Sequence, residues 1–516
     1  MKKCFILLAV LISISSLVFA AGGSQPGSAA ASRPVEISMY YPDNATLPFR
    51  NDWLTVRKAE ELFNAKIAWE IIPIADFNTK VSLALNSGVN TPDVILYQSI
   101  AGENVSLAQN GAIVPISDRS AWTPEWNARV AEYGLKADVD MLRLKDGKLY
   151  FLPRLFDVPF YDGGLILRED LLAAAGMPAP KTFDDLYNLL RMYKQQNPSS
   201  YPMTVLVGPR VHYRMTQPSW GISVHSNGAG GSRVLSWDYS RNTYFAAATS
   251  EQYREYMRYW NKLYREGLLD PEMAEPINGD VWTRKLATGA AIATYAYYDQ
   301  IGGVTAATTI PGFKLNMYPP LAGPAGAHHQ QKSKTGSGIL FPIATQRRSD
   351  FERVVRTIDQ MFFSKQAELL WCIGVQGETY TMQGNTIRYI DSIVNSPDGI
   401  YKAMQLRYGA GADPLQYLWV NAREMTKYDD NYSEINKAVA AMNNAIQAIP
   451  PVPTFANAAT AERATSLMGT LFDAFVVWDD AFLTGTRSLD SDWNAYVNEM
   501  NSKGINELLN LYNSNL

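Results

Sequence analysis

Ala59-Glu60-Glu61-Leu62-Phe63 opens a stretch that runs on to Asn86-Ser87-Gly88-Val89-Asn90-Thr91-Pro92-Asp93-Val94-Ile95-Leu96-Tyr97. Residues 58–63 carry a helical pattern and residues 67–72 a short β-rich run. Phe77, Val81 and Leu85 then recur at helical spacing. A Gly/Asn/Pro turn follows, and residues 93–96 read as a buried strand. Helix, strand, helix, turn and strand in this order make a βαβ-type unit, the mark of an α/β fold. The last strand ends on Tyr97, and open α/β sheets place their ligands beyond the carboxyl ends of the strands.

Working outward, Val35-Glu36-Ile37-Ser38-Met39-Tyr40 alternates as a first strand. Before it, residues 22–32 are rich in Gly, Ala and Ser, the composition of a flexible tether. Lys2 and Lys3, an apolar run over residues 5–17 and Val18-Phe19-Ala20 read as a signal peptide of residues 1–20. Residues 21–33 are then the linker. The apolar run is too short to span a bilayer comfortably. Downstream, Leu165-Ile166-Leu167 is expected as a strand, and Thr182-Phe183-Asp184-Asp185 as a helix start of the capping-box type. Residues 251–265 read as a long aromatic-striped helix stopped by Gly267. Residues 289–297 read as a strand, and Ser349-Asp350-Phe351-Glu352 as a further helix cap. From Lys437 the pattern is mostly helical, interrupted by Pro450-Pro451-Val452-Pro453.

A chain of 516 residues exceeds one hydrophobic core, so two lobes are expected. The net charge of −4 supplies no basic field for nucleic acid or anionic lipid. Of the two cysteines, Cys4 leaves with the signal, and Cys372 alone cannot form an internal disulfide. Its neighbours Trp371 and Ile373 mark it as a small buried hydrophobe. A lipid anchor would need a Cys at the cleavage point, where Ala20-Ala21-Gly22 stands, so a soluble periplasmic protein is expected.

A set of further segments carries a resemblance. They are Asn110-Gly111-Ala112-Ile113-Val114-Pro115-Ile116, Asp146-Gly147-Lys148-Leu149-Tyr150-Phe151-Leu152-Pro153 and Leu167-Arg168-Glu169-Asp170-Leu171. Lys262-Leu263-Tyr264-Arg265-Glu266-Gly267-Leu268-Leu269-Asp270-Pro271-Glu272 and Gly374-Val375-Gln376-Gly377-Glu378-Thr379-Tyr380 continue the series. In their order and spacing, with the stretch ending on Tyr97, the chain resembles the extracellular solute-binding proteins of family 1. These are the oligosaccharide-binding components of bacterial ABC importers, and the likeness is strongest to the long complex-glycan, lipoprotein-like subgroup. The resemblance implies a two-lobed, type II periplasmic-binding-protein fold, each lobe a mixed sheet flanked by helices. It implies a non-catalytic monomer that closes on its glycan and hands it to membrane permease subunits. Residues 34–154 plus 330–371 would form the first lobe, and 155–329 plus 372–516 the second. The crossings would fall near residues 154–161, 330–338 and 372–380. Many relatives carry a calcium-type loop after the helix that starts at Thr182. Here Gln195-Gln196-Asn197-Pro198-Ser199-Ser200-Tyr201-Pro202 lacks the carboxylates such a site needs, so neither metal nor cofactor is expected.

A pyranose presents an apolar face and a rim of hydroxyls, so its site needs aromatic platforms and planar polar groups. Arg154, Asp157 and Tyr161 at the first crossing are candidates, as is Tyr97 at its strand end. Tyr297, Tyr298 and Asp299 follow the strand after Gly289, and Tyr295 shares a face with Tyr297. Trp220 sits in a Pro/Gly loop, and Trp371, Glu378 and Tyr380 lie at the expected third crossing. Trp122 and Trp126 flank Pro124 as rim candidates, and Arg210 and Arg214, near His212, could read a carboxylate or sulfate. His328-His329 has no nearby Cys to complete a metal site. Two other classes compete with the receptor reading. One is a sensor partner or adhesin on the same fold. The other is a secreted glycan-active enzyme, which would need a carboxylate pair that no motif marks.

Overall fold

The computed structural model describes residues 33–516 other than 46, 100–102, 157–162, 207–212, 214, 225–232, 275–278, 298–299, 330–333, 384–385, 397–399, 419–449, 452, 454 and 456. The stretch that decides the fold forms the strand Ala65–Pro73, the helix Ile74–Ser87 and the strand Val94–Gln98. Phe77, Val81, Ala84 and Leu85 are the buried stripe of that helix. It ends at Gly88, whose φ of 65° is the left-handed conformation that a Cβ would oppose; its N–H closes on the Ala84 carbonyl at 3.0 Å.

Strand Val35–Asp43 lies between Ala65–Pro73 and Val94–Gln98, parallel to both. Thr335–Leu340 then pairs antiparallel with Val94–Gln98 on one side and Leu152–Leu155 on the other, completing a five-stranded mixed sheet. Gly338 stands where the last two strands press closest. A Cβ there would lie 2.1 Å from the Leu152 carbonyl oxygen. The second sheet has four strands, in the order Leu315–Tyr318, Gly163–Arg168, Ala293–Tyr297 and Met203–Thr204. Each sheet organises its own apolar core. The first includes Ile37, Val94, Leu155, Ile339, Phe362 and Trp371. The second includes Leu165, Leu189, Tyr256, Trp260, Ala293 and Phe475. The architecture is thus a two-lobed α/β one, a mixed sheet with its own core in each lobe.

The local signals resolve physically. Thr182 caps the helix Phe183–Gln196: its hydroxyl accepts the Asp185 N–H at 3.1 Å, and Asp185 accepts the Thr182 N–H at 3.0 Å. The helix Glu251–Arg265 buries Tyr253, Tyr256, Met257, Trp260 and Leu263 along one stripe. The cap expected at Ser349-Asp350 differs. Asp350 precedes the helix Phe351–Phe363 without a side-chain cap bond, because Arg348 grips its carboxylate at 2.9 Å from both Nε and Nη2.

The lobe assignment of residues 372–418 needs correction. This segment packs on the first lobe rather than the second. It makes an excursion with its own small core, including Tyr380, Ile387, Tyr389 and Ile393. The Trp53 indole N–H donates to the Leu406 carbonyl at 3.1 Å, and the Thr55 hydroxyl to the Tyr408 carbonyl at 2.9 Å. The chain then returns to the first core through Leu415, Tyr417 and Leu418. The Leu155 N–H donates to the Tyr417 carbonyl at 3.0 Å. Pro451 already belongs with the second lobe, where the Tyr244 hydroxyl donates to its carbonyl at 3.0 Å. The last change of lobe therefore falls between Leu418 and Pro451, not at residues 372–380. The signal peptide and most of the tether lie outside the described residues.

One buried acid supports the first lobe from a distance in sequence. Asp359 accepts the N–H groups of Glu125 at 2.8 Å and Trp126 at 2.9 Å, capping the helix Pro124–Glu132, whose own Thr123 makes no cap bond. Burial outweighs these bonds and pushes the carboxyl up to about 6. The folded state thus holds this proton more tightly than the unfolded chain does. The group favours folding below about pH 4, and that contribution is lost as the pH rises through about 6. Asp359→Asn is expected to remove this slope. In urea titrations from pH 4.5 to 7.5, the wild type should lose on the order of 1–3 kcal/mol relative to the variant. Parallel pH profiles would refute the assignment.

Candidate binding site

At the carboxyl end of Val94–Gln98, Tyr97 adopts φ 60°, a left-handed conformation rarely taken by a bulky residue. Such backbone persists only where its surroundings over-determine it. Here the Tyr97 N–H donates to the Tyr417 hydroxyl at 2.9 Å, and the Tyr97 ring lies 4.7 Å from the Arg154 guanidinium. Arg154 comes from the strand Leu152–Leu155 and also lies over the Tyr417 ring at 5.6 Å. Its Nη1 donates to the Asp413 carboxylate at 2.8 Å, and its Nη2 to the Asp413 carbonyl. The Arg154 side chain is 7 % exposed and that of Asp413 50 %. Burial first, then the Asp413 charge, pushes the Tyr97 hydroxyl up to about 12; Arg154 opposes the shift. Burial also drives the Tyr417 hydroxyl up, against the pull of Arg154. The cluster is therefore an aromatic-walled ion pair with its charge already matched. Arg154 acts here as a clasp joining the first crossing strand to the segment that leads into the last one.

On the second lobe, Tyr297 ends the strand Ala293–Tyr297 opposite Gly163 and is half-buried. Tyr295, two residues earlier, is core, and burial raises its hydroxyl pKa. Trp220 closes the short 3₁₀ turn Gln217–Trp220 and is also half-buried. Its ring packs on Phe183 at 5.7 Å, Tyr256 at 5.7 Å and Tyr259 at 5.9 Å. The lobes also meet where the helix Ala458–Thr484 reaches the helix Glu103–Gln109, which follows Tyr97 in the chain.

The other expected positions separate. Trp371 is 1 % exposed in the first core. Its ring stacks on Phe362 and its N–H donates to the Met361 carbonyl at 2.8 Å, so nothing of it is left for a ligand. Tyr380 is buried in the small core of the excursion. Glu378 is exposed on the same excursion, where Lys58 feels its charge after that of Glu61. Both were expected at a crossing that the chain makes elsewhere. Trp126 is buried with its N–H donating to the Pro153 carbonyl at 3.2 Å, and Trp122 packs edge-on against Phe351. Asp157, Tyr161, Arg210, His212, Arg214, Tyr298 and Asp299 lie outside the described residues. His329 is buried with Nε2 3.0 Å from the Gly163 carbonyl. Cys372 is buried, its thiol 3.2 Å from the Leu418 carbonyl. In the 195–202 loop, the Lys194 ammonium donates to the Ser200 carbonyl at 2.6 Å and lies 4.9 Å from the Tyr201 ring centre. Among the described residues, no group of three or more His, Cys, Asp or Glu could hold a metal ion. Asp413 and Tyr417 escape sequence reasoning because only tertiary structure brings them to Arg154.

The model of the bacterial extracellular solute-binding proteins matches residues 55–347. The chain belongs to that family. As such it works outside the cytoplasm, and no helix among its described residues is long and apolar enough to cross a membrane. Its relatives include the lipoprotein LipO of Bacillus subtilis, 23 % identical over 335 residues. That alignment spans 62 % of this chain and 62 % of LipO. The fructooligosaccharide ABC transporter substrate-binding protein FusA of Streptococcus pneumoniae is 22 % identical over 398 residues, 71 % of this chain and 70 % of FusA. In fold, this solute-binding protein is similar to the calcium-free crystal structure of the alginate-binding protein AlgQ2. The TM-score is 0.73 and the identity 18 %, over 94 % of this chain and 98 % of that one.

Asp413→Asn leaves the buried Arg154 charge without its counter-ion. The half-exposed carboxylate discounts the effect, so a loss of about 1–3 kcal/mol in unfolding free energy is expected. An unchanged denaturation midpoint would show that the clasp contributes nothing to stability.

Proposed function

We propose that this protein captures an oligosaccharide between its lobes, closes on it and delivers it to the permease of an ABC importer. The observation that carries this reading is the placement of aromatic side chains at the ends of strands and turns on both lobes. Tyr97 stands on the first, and Tyr297 and Trp220 on the second, each half-buried. Aromatic faces on both lobes would suit the apolar faces of sugar rings. FusA, a relative, is a fructooligosaccharide-binding protein, and AlgQ2, of similar fold, binds alginate. Both names support a glycan as the ligand class.

Asp157, Tyr161, Tyr298 and Asp299 belong to the same proposal, as neighbours in sequence of Arg154 and Tyr297. Asp413 neutralises Arg154, so this guanidinium gives no support to an anionic ligand. Function would be that of a monomeric, non-catalytic receptor, exported by the signal peptide of residues 1–20 to the periplasm. Two or three stacked rings and several hydrogen bonds suffice for micromolar affinity, about −8 kcal/mol.

Thermal-shift titration of the mature protein against neutral, uronic and sulfated oligosaccharides tests the reading, with amino acids and peptides as controls. A bound glycan at a hundred times its Kd should stabilise the folded state by about 2.7 kcal/mol and raise Tm accordingly. A shift with peptides alone, or none with any glycan, would overturn it.

A further inference from the structure

We infer that the buried imidazole of His329 ties two of the crossings together and sets the angle between the lobes, which makes it a positioning residue for ligand capture. The capture part rests on the oligosaccharide reading; the hinge part rests on contacts within the chain.

Two crossings are bracketed by the cores they join. Leu155 belongs to the first core and Leu165 to the second. Leu321 belongs to the second and Ile339 to the first. At the first-lobe end the two crossings are held by backbone. The Phe156 N–H donates to the Lys334 carbonyl at 2.8 Å, and Thr335 stands opposite Leu155 in the antiparallel ladder. At the second-lobe end a side chain holds them. His329 Nε2 lies 3.0 Å from the Gly163 carbonyl oxygen. A carbonyl only accepts, so Nε2 carries the hydrogen. His329 is 1 % exposed, and a hydrogen bond at that depth is stronger than one in water.

Both sides of this tie are anchored in the second lobe. The Ala325 N–H donates to the Ser219 carbonyl at 2.9 Å. The Ser219 hydroxyl donates to the His328 carbonyl at 3.0 Å and accepts the His328 N–H at 3.1 Å. His329 therefore leaves a fixed point. Gly163 opens the strand Gly163–Arg168 and stands opposite Tyr297. The imidazole thus fastens one crossing to the strand end beside the proposed platform. The two ends differ in kind. A backbone ladder leaves its strands little freedom, whereas an imidazole bridges through side-chain torsions. One fixed end and one jointed end are the parts of a hinge, about which a lobe can turn while the crossings stay side by side. Tyr297 turns with Gly163, so this tie governs where the second-lobe platform stands relative to Tyr97.

The test measures the distance between the lobes. Spin labels are placed at Leu83→Cys on the first lobe and Arg241→Cys on the second, both exposed positions. Cys372 is buried and stays unlabelled. Double electron–electron resonance is recorded on the mature, ligand-free protein with His329, His329→Gln and His329→Leu. Gln keeps a donor near the reach of Nε2, and Leu fills the space without one. His329→Leu should broaden the distance distribution and move its centre, and His329→Gln should restore the wild-type profile. In calorimetric titration with fructooligosaccharides, His329→Leu should bind about three- to tenfold more weakly, because fewer molecules are poised to bind. A His329→Leu distribution that superimposes on the wild type would overturn the inference. So would a His329→Gln profile that follows Leu, since the ring's bulk and not its hydrogen bond would then hold the lobes. If His329→Leu does not fold, His329→Asn takes its place, because its donor reaches only as far as Nδ1. Coincident Asn and Gln profiles would then overturn the inference. A wild type that binds no oligosaccharide overturns the receptor reading and the capture part with it, while the distances still decide the hinge.

Discussion

The buried guanidinium of Arg154 is the point on which the arrangement of this chain turns. A charge at that depth is tolerable only if it is matched and hydrogen-bonded. Asp413 supplies the match with its carboxylate and a further acceptor with its carbonyl. Tyr97 and Tyr417 supply the aromatic faces. Meeting these demands brings together strand ends far apart in sequence, and it fixes Tyr97 in a backbone conformation it would not adopt alone. The same contacts sit where the first lobe gives way to the crossings. Stability of the lobe and placement of an aromatic face are therefore one physical problem with one solution.

Asp359 and Gly338 show the same economy elsewhere in the first lobe. Asp359 caps a helix from another helix, because the residue at the natural cap position makes no bond. Gly338 lets two antiparallel strands approach so closely that no side chain would fit. In both places a local deficiency is met by a partner distant in sequence. That ties the separate passes of the chain through this lobe into one cooperative body.

Much of the fold was legible in the residues. The strand and helix order from Lys58 to Tyr97, the capping box at Thr182 and the aromatic stripe of Glu251–Arg265 rest on periodicity and short-range bonding, which a linear reading can see. Two α/β lobes followed from length and from the resemblance. What escaped was decided at long range. The segment after Cys372 looked like a crossing because of its glycines, yet Trp53 and Thr55 hold its far end on the first lobe. That single misplacement carried Trp371, Glu378 and Tyr380 into the expected site together. Arg154 stands out in the sequence as a candidate ligand contact, but its partner Asp413 lies 259 positions away and leaves no local trace.

The route of the chain also has a consequence in time. The strand Val94–Gln98 finds its antiparallel neighbour in Thr335–Leu340, and the first core is finished only by Leu415, Tyr417 and Leu418. Contacts so distant in sequence are slow to form, because a long loop must close before they are rewarded. Until residue 418 has left the ribosome, the first lobe lacks its last core residues and the partner of its buried arginine. Synthesis therefore delivers most of the polypeptide in a state that cannot lock. The first lobe can therefore complete its core only after most of the chain has been made.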